Sequence, residues 1–416
     1  MKVIKGNIIF TPSKDKFQVI ENGYIVLNKN KVVNVYSKLP DKYFSYELLD
    51  YKDKIIIPGM NDLHCHAPQF RNLGIAMDKE LLPWLNDYTF PEESKYNDIN
   101  YAQKMYQRFI NEIYKNGTTR IAIFSTIHKE ATKKLMDLLI SIGIGAYVGK
   151  VNMYRNAFDK LCESTLDSIN DTIEIINEYS NKSNLVKPII TPRFVPTCSE
   201  KLLNDLGELA IKYSLPVQSH LSENIEEIQW VKELHPDCNF YSQIYDKYKL
   251  FGDTPTLMAH CIHLTNEEVQ LMSEKNVYAV HCPSSNANLA SGIMPIRKLL
   301  NNNVKVGFGS DISGGHNFSI FKTIVYAIEF SKLLWTYNKE YNFLSLSEAF
   351  YIATKGGGSF FGKVGSFEEG YDFDALVIDD GELNFDNYTL LERLERFIYI
   401  GDDRHIYHRY VNGSLI

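Results

Sequence analysis

Cysteine is scarce in this chain of 416 residues: there are six, Cys65, Cys162, Cys198, Cys238, Cys261 and Cys282, and no Cys-x-x-Cys pair. That excludes a regular disulfide framework and predicts reduced thiols in an intracellular protein. Long apolar runs are also lacking, since no stretch approaches the roughly 20 residues that span a bilayer. Met1-Lys2-Val3-Ile4-Lys5-Gly6 carries no secretory signal pattern. Charge of one sign is nowhere concentrated: the net charge is -7, with Lys and Arg dispersed, so the basic stripe of a nucleic-acid surface is missing. Repeats and low-complexity tracts are absent too. These absences predict a cytoplasmic protein that binds neither nucleic acid nor membrane, and a 44% hydrophobic content fills one large core and a smaller one.

What is present begins with an apolar run, Ile55-Ile56-Ile57-Pro58-Gly59-Met60-Asn61-Asp62-Leu63, that delivers His64-Cys65-His66. Side chains two apart on a strand point the same way, so His64 and His66 aim two imidazoles at one point. One pair cannot hold a metal that wants about four ligands. Three further strand-like runs complete the set: one ends in His220 and leads through Leu221-Ser222 into Glu223, one ends in His260, and one ends in Asp311. Taken singly, each is an ordinary surface, core or turn residue. Taken together, neutral imidazoles plus a carboxylate suit Zn²⁺ or Fe²⁺, with one position left for water.

Between residues 58 and 365 the pattern alternates strand and helix. Eight strands are predicted, over Ile55–Leu63, Thr119–Ser125, Gly145–Asn152, Pro188–Phe194, Pro216–His220, Thr256–Cys261, Val277–His281 and Val304–Ser310. An α/β fold of the (β/α)8 TIM-barrel type follows, and the candidate ligands fall at the C-terminal ends of its strands, where such barrels do chemistry. The flanks alternate in shorter runs, and 1–57 with 366–416 are expected to form a small β-sandwich domain around a 58–365 catalytic barrel. The segment from Ala67 to Asn97, rich in Pro and aromatics, must cross the barrel mouth and makes Trp84 part of a lid.

Pro58-Gly59-Met60-Asn61-Asp62-Leu63-His64-Cys65-His66, His220-Leu221-Ser222-Glu223, His260-Cys261-Ile262-His263-Leu264, His281-Cys282-Pro283-Ser284-Ser285-Asn286 and Gly309-Ser310-Asp311 together resemble the metal-dependent amidohydrolase superfamily. The branch is that of mononuclear aminohydrolases acting on heterocycles. Within it, His66-Ala67-Pro68-Gln69, the run from Leu82 to Glu92, Pro192-Arg193-Phe194-Val195-Pro196-Thr197 and Ser310-Asp311-Ile312-Ser313-Gly314-Gly315 are similar to the guanine-deaminating members.

The resemblance implies zinc ligands His64, His66, His220 and Asp311, one ion per chain, with Fe²⁺ as the other metal that fits. It implies that Glu223 shuttles protons, that His260 stabilises developing charge and that Asp311 doubles as a base while zinc-bound hydroxide attacks C2 of guanine to give xanthine and ammonia. Gln69, Arg193 and Phe194 become purine contacts, with His220 and Trp84 at the same wall, and the assembly becomes a homodimer. A two-point Arg fork suits the O6 and N7 acceptors of guanine, and Gln69 offers a donor and an acceptor to an amide edge. Dinuclear members carry a carboxylated lysine at the end of the fourth strand; here that end reads Thr191-Pro192-Arg193-Phe194, with Lys187 at its start, so one metal is expected. His263 competes on paper with His260 but falls in the following loop. His281, followed by Ser284-Ser285-Asn286, is expected to lend a supporting hydrogen bond at the rim.

His128-Lys129-Glu130 matches half the signature of a different zinc deaminase fold, whose Pro-Cys-x-x-Cys is missing, and reads as a solvated helix start. The competing functions are another mononuclear aminohydrolase, acting on a triazine, a pterin or an adenosine derivative, and a catalytically inactive zinc barrel, against which Glu223 speaks because no structural zinc site needs it.

Overall fold

A computed structural model describes residues 1–385 and 387–416. Eight parallel strands, Met60–His66, Thr118–Phe124, Gly145–Gly149, Val186–Pro188, Val217–Leu221, Thr256–His260, Val277–His281 and Lys305–Phe308, lie in two groups of four. The bridge Ile190–Val217 joins the groups on one side. On the other, the Asp311 amide donates to His64 O at 2.9 Å and the His66 amide to Ile312 O at 3.1 Å, which closes the barrel. Leu63, Ala122, Leu257, Tyr278 and Val280 fill its interior, so it is a packed core and not a pore. Gly307 is part of that packing: a Cβ there would sit 2.2 Å from Leu63 Cδ1.

Helices surround the barrel and start where short polar side chains can cap them. Asp98 accepts from the amides of Asn100 and Tyr101 ahead of Ile99–Lys115, Ser199 from Leu202 ahead of Glu200–Tyr213, and Thr265 forms a capping box with Glu268 ahead of Asn266–Glu274. No helix among the described residues is long and apolar enough to cross a membrane.

The chain ends do meet, in one hydrogen-bonded sheet. Ser414–Leu415, Ile406–Val411, Ala375–Ile378, Glu47–Pro58, Lys2–Ser13, Lys16–Asn28 and Lys31–Tyr36 form, in that spatial order, one seven-stranded sheet. In hydrogen bonding the expected sandwich is one continuous sheet, which packs one face on the barrel helices and the other on a core of its own. Ile56 packs with Ile4, Ile8, Phe373 and Val377 on one face, while Ile55 and Ile57 join the cluster of Leu394, Phe397 and the barrel helices on the other. Burial on both faces makes that run continuously apolar. It also explains a correction to the predicted strand Ile55–Leu63: Ile55–Pro58 belongs to the flanking sheet, and the first barrel strand begins after Gly59. That glycine lets the chain pass close to Thr119, whose Oγ1 a Cβ would approach to 2.2 Å.

Candidate active site

The barrel's C-terminal rim collects the predicted residues by strand geometry. His64 and His66 share one face of the first strand, His220 sits in the fifth, His260 ends the sixth, and Asp311 follows the eighth. Asp62 sets the register of first and last strands. Its Oδ1 accepts from the amides of His64 at 3.2 Å and Ser310 at 3.0 Å, and its Oδ2 from Ser310 Oγ. Burial pushes the Asp62 carboxyl up to about 7 against those donors. Asp311 and His260 both have left-handed backbone, at φ 47° and 72°. Such strain persists where the surroundings over-determine it, here partly through the Asp311 amide held by His64 O.

Three ring nitrogens and a carboxylate crowd one point. His66 Nε2 lies 3.2 Å from both His64 Nε2 and His220 Nε2, and Asp311 Oδ1 is 3.2 Å from His64 Nε2 and 3.5 Å from His66 Nε2. His220 Nδ1 donates to Arg193 O at 2.7 Å, which turns the lone pair of its Nε2 inward. Burial lowers the pKa of His64, His66 and His220, and keeps them neutral. Burial raises the Asp311 carboxyl, but His64, His260 and His66 outweigh it and hold it well below the usual range. Neutral imidazoles facing one another beside a carboxylate cannot all be satisfied by protons; they form a donor set that could hold a divalent cation. At the fourth strand, Lys187 Nζ is tied to Ser180 O, and Arg193 stands at the rim.

Beside this cluster, His260 Nε2 lies 3.4 Å from Glu223 Oε2 and 3.8 Å from Asp311 Oδ2. His260 Nδ1 is paired with Asn286 Oδ1 at 2.9 Å. Burial lowers the His260 pKa, but Glu223 and Asp311 outweigh it and raise it overall. Burial brings the Glu223 carboxyl up to about 7, a value suited to moving protons in both directions at neutral pH. Ser291 Oγ donates to Glu223 Oε1 at 3.3 Å, and Glu227 Oε2 accepts from the Glu223 amide at 3.0 Å.

A cavity opens from here, lined by His66, Gln69, Trp84, Arg193, Phe194, His220, Glu223, His260 and Asp311 together with Leu81, Leu85, Glu227 and Leu289. All the residues expected at a purine wall are thus in one place. Trp84 is buried against Leu81 and Leu289 in the segment that crosses the mouth. His263 is not among the lining residues; its Nε2 is paired with Ser291 O at 2.8 Å. The His281 ring is buried, its Nδ1 has no partner among the described residues, and Asn286 of the same segment pairs with His260.

Three residues escaped sequence reasoning: Asp62, Glu227 and Glu93. Glu93 Oε1 accepts from Gln69 Nε2 at 2.9 Å and its Oε2 pairs with Arg193 Nη1 at 2.5 Å. Its only signal was the second carboxylate of the Pro91-Glu92-Glu93 run, which reads equally as a helix start.

Residues 55–416 match the Amidohydrolase family, and the chain belongs to that family. Among its relatives, a protein of Dictyostelium discoideum described as guanine deaminase is 37% identical, over 100% of this chain and 98% of its own. The guanine deaminase of Escherichia coli is 36% identical, over 95% of this chain and 91% of its own. A crystal structure of guanine deaminase from C. acetobutylicum with guanine in the active site is 60% identical, with a TM-score of 0.99 over 100% of this chain and 99% of that one.

Proposed function

We infer that this protein deaminates guanine, hydrolysing the C2–amine bond to leave xanthine and ammonia. The observation that carries the reading is the meeting, in one cavity, of the Glu223–His260–Asp311 cluster with a wall of Gln69 and Arg193 in a chain 60% identical to a guanine-bound guanine deaminase.

His64, His66, His220 and Asp311 are the residues that would hold a single zinc ion. Bound there, zinc would supply a water acidic enough to act as nucleophile near neutral pH. Glu223 takes a proton from the attacking water and delivers it to the ring nitrogen beside C2, which makes that carbon electrophilic. Asp311 holds the second proton and helps pass it to the departing ammonia. His260 donates toward the oxygen as charge develops, a contribution of roughly 3 to 4 kcal/mol for comparable donors. Arg193 engages O6 and N7, Gln69 reads the amide edge, and Phe194 and Trp84 enclose the ring. The working protein is a cytoplasmic homodimer. Ammonia release from guanine, adenine, cytosine and guanosine, each with and without chelator, tests the reading: guanine alone should react, and only without chelator. Preference for another base would overturn it.

A further inference from the structure

Gln69, Glu93 and Arg193 come from three separate parts of the chain, and Glu93 is the point at which they meet. Gln69 follows the first barrel strand, Arg193 follows the fourth, and Glu93 ends the short helix Phe90–Glu93 in the segment crossing the mouth. Glu93 is 1% exposed and Arg193 3%. The carboxylate receives one donor on each oxygen, Gln69 Nε2 and Arg193 Nη1. Gln69 cannot turn its amide over without loss, because its Oε1 already accepts the Ser313 amide at 3.2 Å. The two donors meet opposite oxygens of the carboxylate, and a neutral amide at position 93 would face one of them with its own N–H groups. The guanidinium also lies over the Phe90 ring, with Cζ 5.1 Å from its centroid, so one short helix supplies both its counter-charge and its stacking surface.

Arg193 is the only Lys or Arg among the residues lining the cavity. Unbalanced in so buried a place, it would attract anions strongly, since charge interactions there are far less screened than in water. We propose that Glu93 is a specificity-determining positioning residue, whose carboxylate fixes Gln69 and Arg193 and makes the purine wall electrically balanced, so that it favours a neutral base over an anionic one. The inference rests on the guanine reading. There it has a consequence for turnover: xanthine, with a carbonyl at C2 and an N–H at the neighbouring ring nitrogen, ionises in mildly alkaline solution, whereas guanine and hypoxanthine stay neutral. A balanced wall releases the ionised product while still holding the neutral substrate, and specificity is here a difference of two affinities.

The test is calorimetric binding of xanthine and of hypoxanthine to the zinc-loaded protein at one mildly alkaline pH, in the parent and in Glu93→Gln. The expected result is a shift of preference toward xanthine by about 10-fold, the scale of one charge-assisted contact. A merely structural role would weaken both ligands together, and an unchanged ratio overturns the proposal. Should Glu93→Gln fail to fold, Arg193→Gln leaves the carboxylate unbalanced instead and is expected to move the preference away from xanthine by a similar factor; no movement overturns it equally. Guanine turnover by the parent is measured alongside. An inactive parent would count against the guanine reading, whereas an active parent with unmoved ratios would count against Glu93 alone.

Discussion

Two buried arginine–carboxylate pairs show how one chemistry serves two ends of this molecule. At the seam between barrel and flanking sheet, Arg120 gives Asp374 both Nε and Nη2, at 2.5 and 3.0 Å, and the Asn412 amide adds a third donor at 2.7 Å. At the mouth, Arg193 gives Glu93 one nitrogen only and presents the rest of its fork to the cavity. A fully used pair holds two bodies together, and a partly used one is a preorganised recognition surface. Breaking either leaves a buried charge without its partner, but the losses should appear in different measurements.

The comparison breaks first at the metal. His64→Ala combined with His66→Ala removes two of four ligands, so metal and activity should both vanish; elemental analysis of the parent should find about one ion per chain, and a value near two would refute the single-metal reading. Next is Glu223→Gln, which keeps size but loses basicity. The chemical step should slow by roughly 10²-fold to 10⁴-fold while metal content and purine binding persist. Near-normal turnover would hand the proton to Asp311 or His260.

At the seam, Asp374→Ala should cost about 3 to 5 kcal/mol in urea unfolding and leave kcat per folded, metal-loaded chain nearly unchanged. A large fall in kcat without loss of stability would erase the contrast between the pairs. The smallest effect belongs to Arg193→Lys, which retains charge but not the planar fork. Loss of one charge-assisted contact should lower kcat/KM for guanine by roughly 10- to 150-fold, about 1.5 to 3 kcal/mol, with stability and metal content unmoved.

Much of the site was legible because its parts are local. A His-x-His two residues apart on a strand converges whatever the rest of the chain does, and strand ends in an alternating α/β pattern mark the chemical rim. The corrections come from contacts that no local pattern encodes. Ile55-Ile56-Ile57 reads as one strand with Met60–His66 because both stretches are apolar, yet Gly59 divides them between two sheets. Asn286 follows His281 across Cys282-Pro283-Ser284-Ser285 and serves His260, because the helix Pro283–Asn288 carries its amide toward the sixth strand.

By itself, then, the sequence determined the donor types, their spacing and the repeating strand-helix order, since side-chain direction along a strand and the periodicity of an amphipathic helix are properties of a few consecutive residues. Only the tertiary structure decided which carboxylate meets which arginine. Glu93 and Arg193 are 100 positions apart, and Asp62 and Ser310 are 248 apart. Those pairings exist because the barrel closes and a loop crosses its mouth, and in a buried site each polar group must find its partner from whatever the closed fold brings within about 3 Å.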